Sequence, residues 1–134
     1  MITTFYVSLV ALLAIYISFL AIKERRDNQI RVGTGKNIRL ASFAAAHNNL
    51  VSFSSLYFLM SFGCELVLNF STTLIWVAGA LFTLGRFLHG HGLCVTELAK
   101  KPNLKFRMSG MFLTILSTVI LALIAVYKVG CTLF

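Results

Sequence analysis

Acidic residues are scarce in this chain, which has only Glu24, Asp27, Glu65 and Glu97 among 134 residues. None falls inside a long apolar run. That argues against a proton-coupled exporter, whose cycle needs a carboxylate buried within a membrane span. Proline occurs once, at Pro102, where with Asn103 it marks a turn. The three cysteines, Cys64, Cys94 and Cys131, are an odd number and lack any Cys-x-x-Cys spacing, so they suggest neither a disulfide framework nor a zinc site. They read as small apolar fillers; Cys64 and Cys131 fall near the same membrane face, which leaves a disulfide between them open. Charged residues of both signs make up 12% of the chain, about half the usual share of a soluble domain.

Apolar residues, by contrast, make up 58% of the chain, and the mean hydropathy of +0.87 makes lipid the expected solvent. Residues 1–22, 40–64 and 108–127 contain no Lys, Arg, Asp or Glu, and each window reaches the roughly 20 residues a bilayer-crossing helix needs. A fourth run, between Leu66 and Val95, is free of charge except at Arg86. The expected fold is therefore all-α: one integral membrane domain, 1–134, forming a bundle of four transmembrane helices with spans of approximately 1–22, 40–62, 70–94 and 108–128. No basic segment precedes the first run, which is too long for a leader and is expected to be a retained helix. Gly33, Gly35 and Asn37 mark the turn back towards the membrane after it.

Ten of the twelve basic residues lie in two loops, 23–39 and 95–107, which four spans place on one side. By the positive-inside rule those loops are cytoplasmic and both termini face away. The net charge of +8 is what orientation alone requires, and no nucleic-acid partner is expected.

The polar residues within the spans carry the functional information. His47, Asn48 and Asn49 lie about 10 to 14 Å along the second helix from its loop end; Arg86, His89 and His91 come late in the third, and Arg107 opens the fourth. An arginine at membrane depth costs at least about 2.5 kcal/mol, so Arg86 is expected to face an interior, a cavity or an anionic ligand. Neither Glu65 nor Glu97 is placed to neutralise it, which favours an external anion. His47 and His89 sit at similar depth on different helices, so a haem-binding electron carrier is a remote alternative. No metal site is otherwise indicated.

Four segments, RVGTGK at 31–36, AAAHNNLVSF at 44–53, TLGRFLHGHGL at 83–93 and RMSGM at 107–111, occur in an order and spacing that resembles the short bacterial form of the membrane-associated proteins in eicosanoid and glutathione metabolism, the MAPEG superfamily. The resemblance implies a homotrimer in the lipid of a bacterial inner membrane that binds glutathione as co-substrate between subunits and takes a small lipophilic substrate from the bilayer. It carries the glutathione-binding role to His47, Asn49, Arg86 and His89, and the catalytic role to Arg107. Ser52 stands where the family usually has Glu, Ala45 where it has Arg, Leu56 where it has Pro, and Leu93 where animal enzymes have Tyr; Ser52 is expected to contact glutathione through a neutral hydrogen bond.

Arginine is suited to such a ligand, because its planar, always-charged fork pairs with carboxylates. A nearby cation also lowers the pKa of a thiol from about 8.5 and favours the reactive thiolate. The implied function is a glutathione-dependent transferase or peroxidase acting on lipophilic electrophiles. The alternative is a non-catalytic relative that keeps the fold and binds a lipid or amphiphile.

Overall fold

The computed structural model describes residues 1–133 and consists of four helices: α1 (Ile2–Asp27), α2 (Ile38–Leu66), α3 (Thr72–His91) and α4 (Lys105–Leu133). The turn after α1 uses positive φ at Gly33 (69°) and Gly35 (57°), a conformation that glycine adopts without a Cβ penalty. Asn37 then caps α2, its Oδ1 accepting from the Leu40 amide at 2.9 Å. The sequence leaves the start of the third helix open; Ser71 settles it, its Oγ accepting from the Leu74 amide at 3.3 Å. After His91 the chain continues as a π-helical turn, Gly92–Thr96. The Pro102 turn is closed by the Asn103 amide donating to Thr96 O at 3.2 Å.

Helices α1, α3 with its π-turn, and α4 are long and apolar enough to cross a membrane. α2 has the length, at 29 residues, but His47, Asn48, Asn49 and its serines lower its hydropathy. The helix with the polar layer is thus the least lipid-like of the four.

The antiparallel pair α3 and α4 packs most closely, and α1 lies on α2 and α3. Glycines set the α3–α4 separation. A Cβ on Gly85 would sit 2.8 Å from Gly110 O, and one on Gly110 would press on the backbone of His89 and Gly85. At mid-bundle the Tyr57 and Phe82 rings stack at 3.8 Å with Phe58 edge-on to both. Ser117 on α4 donates to Ala78 O at 2.7 Å. At the end away from the basic loops, Glu65 accepts from the amides of Ile2 (2.6 Å) and Thr3 (2.8 Å) and lies 3.2 Å from the N-terminal ammonium. It therefore satisfies the free donors at the start of α1. Cys64 is buried and Cys131 exposed; both are free, as is Cys94.

Candidate functional site

Arg86 is only 1% exposed, the largest side chain buried so completely. Its Nη2 donates to Asn49 Oδ1 on α2 at 3.0 Å, and its Cζ lies 5.5 Å from the centre of the Phe53 ring, one turn further along that helix. Nε and Nη1 have no hydrogen-bond partner, and no carboxylate forms an ion pair with the group among the described residues. A buried guanidinium with one neutral bond is a costly arrangement for a fold to keep for stability alone.

Beside this arginine, Asn49, His89, Leu104, Arg107, Met108 and Met111 line a cavity of about 340 Å³, within the range of small-molecule sites. Three helices build it. Asn49 comes from α2, His89 from the last turn of α3, and the others from the start of α4 and the residue before it. The approach is close because Gly92 has no side chain: a Cβ there would meet the Arg107 backbone nitrogen at 2.7 Å. His89 Nδ1 lies 3.3 Å from Arg107 O, an arrangement that holds the imidazole as a donor to the carbonyl. π-Helical turns often accompany functional sites, and this one directly precedes Glu97.

Glu97 was missed by reading the sequence. Its Oε2 lies 3.3 Å from Arg107 Nη1, while its Oε1 is buried without a hydrogen-bond partner. Read as a loop residue, Glu97 has no role; the π-turn carries the helix past His91 and folds it onto the start of α4. The signal that could have found it is the ten-residue separation of Glu97 and Arg107 around the single proline.

Of the residues singled out in the sequence, Asn49, His89 and Arg107 share the cavity, and Arg86 joins them through Asn49. His47 and Ser52 do not line it. His47 precedes Asn49 by two residues, about 200° around a helix, so it turns to the other side of α2 and does not converge with His89 as a haem pair would. Ser52 is exposed on the outer surface of the bundle, one turn from Asn49.

A family model described as the MAPEG family matches residues 3–127. No curated protein and no solved structure matched in the same comparisons. The family match extends over all four helices and includes every residue of the buried arginine site. With membrane-crossing helices and a polar layer built by α2, α3 and α4, this integral membrane protein belongs to the MAPEG family.

Proposed function

We propose that the chain is a glutathione-dependent transferase or peroxidase, assembled as a homotrimer in the membrane with loops 23–39 and 95–107 facing the cytoplasm. The observation that carries this reading is Arg86, fully buried, with two guanidinium nitrogens unpartnered and no counter-ion among the described residues. Glutathione, an anionic tripeptide, supplies the missing charge. Its carboxylates suit Arg86, its peptide groups suit Asn49, and His89 borders the same space. Arg107 stabilises the thiolate, which attacks a lipophilic electrophile and displaces its leaving group as an anion; the thiol proton departs to water, since an arginine cannot accept it. In the trimer, the exposed face of α2 that carries Ala45 and Ser52 meets a neighbouring subunit, and Ser52 reaches the ligand from there.

One observation favours a second reading. Arg107 already faces Glu97, so its charge is partly spent, and a non-catalytic relative that binds an amphiphile is consistent with that pairing. Calorimetric titration of the detergent-solubilised protein with glutathione tests the first reading. Binding at millimolar concentration or tighter is expected, and Arg86→Met should abolish it. Absence of binding by the wild-type protein at 10-fold higher concentration would remove the glutathione assignment. Turnover of a chlorinated nitroaromatic then separates enzyme from binding protein, and native mass spectrometry showing only monomers would refute the shared site.

A further inference from the structure

Helix α1 does not simply fray into its loop. The Ile30 amide donates to Arg25 O at 2.9 Å and the Gln29 amide to Arg26 O at 3.2 Å, with Gln29 held at a φ of 55°. These bonds form the reversal that usually places glycine in the left-handed position. A glutamine there accepts strain in order to fold the chain back on the helix. The consequence is that Arg31 returns to Arg25 and Arg26, and the three arginines with Ile22, Gln29 and Ile30 line one cavity of about 510 Å³.

Three arginines line this cavity with little internal compensation. Arg25 and Arg31 have no ion-pair partner among the described residues, and Arg26 reaches only its neighbour Asp27, at 3.9 Å with both side chains exposed. The nearby Glu24 is committed elsewhere: it accepts from Asn28 and Asn37, both at 3.0 Å, and faces Arg39 at 3.8 Å. Apolar residues lie exposed close by in sequence, Val32 at 89% and Ile38 at 78%, and Ile22, which lines the cavity, is 59% exposed. Ile22 ends the uncharged run of the first span, so the arginines sit just beyond the hydrocarbon. Orientation in a membrane requires basic residues in this loop; it does not require three of them to converge on one cavity around a strained turn.

We propose that this cavity binds the phosphodiester headgroup of an anionic phospholipid, with an acyl chain descending along Ile22. Guanidinium forks pair with phosphate oxygens in two-point contact, and exposed apolar residues beside basic ones hold the loop in the interfacial layer. The cavity shares no residue with the one beside Arg86, so the inference stands apart from the glutathione reading.

The test uses delipidated full-length protein in mild detergent, titrated with dioleoyl-phosphatidylglycerol or dioleoyl-phosphatidylcholine, with bound lipid counted by native mass spectrometry. Phosphatidylglycerol should bind at least about tenfold more tightly. Each arginine removed should weaken it by about fivefold, so Arg25→Gln/Arg31→Gln should bring the two lipids level. Lys100→Gln/Lys101→Gln, which removes the same charge from the other basic loop, should leave the preference unchanged. Arg25→Lys/Arg31→Lys keeps the charge without the fork and should fall between them; it carries the test if the glutamine pair misfolds. Equal binding of both lipids, or equal losses in the Arg25/Arg31 and Lys100/Lys101 glutamine pairs, would overturn the proposal. Displacement of phosphatidylglycerol by inorganic phosphate or by glutathione would also overturn it, by assigning the cavity to a soluble anion.

Discussion

If Arg86 is kept for a ligand, removing it and removing its partner should have opposite effects on stability. Asn49→Ala takes away the one hydrogen bond to a guanidinium that is 1% exposed; bonds to charged groups contribute about 1.5–3 kcal/mol, and that is the expected loss. Arg86→Met replaces an uncompensated buried charge with an apolar side chain of similar volume. By analogy with other buried charges exchanged for hydrophobic residues, the result should be neutral or stabilising by up to about 4 kcal/mol. Asn49 is left facing the cavity it lines, where water can satisfy its amide. In the double variant the alanine no longer strands a charge, so the coupling between the positions should recover most of the 1.5–3 kcal/mol. Reversible unfolding in mixed detergent micelles, followed by emission from the single tryptophan, Trp76, measures all four corners of the cycle. Glutathione at ten times its dissociation constant should add about 1.4 kcal/mol to the wild type and nothing to Arg86→Met. A loss of stability in Arg86→Met larger than in Asn49→Ala would refute the reasoning, because it would make Arg86 a structural element of the bundle.

Glu65, past the end of the second span, should give the protein an acid limit. Burial alone would raise its pKa, but hydrogen bonds from Thr3 and Ile2 and the N-terminal ammonium outweigh it and hold the carboxyl at about 2, below its ordinary 4.5. The stabilisation is therefore complete above pH 4.5 and lost as pH falls towards 2; acid titration of the melting temperature should show this loss, and Glu65→Gln should flatten it. Glu97→Gln should release Arg107 from its 3.3 Å ion pair and lower the pKa of a bound glutathione thiol, whereas Arg107→Ala should raise it; thiolate absorbance across pH reads both, and no change in either variant would remove Arg107 from the chemistry. Gly110→Ala should destabilise the bundle by about 1–3 kcal/mol, since its new methyl meets the backbone of His89 and Gly85. Gly130, where a Cβ meets nothing within 4 Å, is the control.

The helices were legible because lipid allows few alternatives: runs without charge must satisfy their backbone internally, and Asn37 with the glycines at 33 and 35 punctuates the first loop, whereas the start of the third helix, capped by Ser71, was not legible. The site was legible along the helix axes and less so around them. Counting residues put His47 and Asn49 at the same depth, but two residues turn a helix by about 200°, and only Asn49 reaches the cavity. Glu97 was hidden because a π-turn is a tertiary adjustment with no strong local code, made possible by Gly92 against the Arg107 backbone. The charge inventory, however, is not changed by folding. Of the four side-chain carboxylates, Glu65 holds the start of α1, Glu24 fastens the first loop, Glu97 faces Arg107, and Asp27 lies exposed beside Arg26. None remains for Arg86 or for the Arg25 and Arg31 pair. Those cations sit at two depths, one within the bundle and one at its basic-loop end, and on the two readings proposed above each draws its anion from outside the chain: a soluble one at the buried arginine and a lipid headgroup at the basic-loop end.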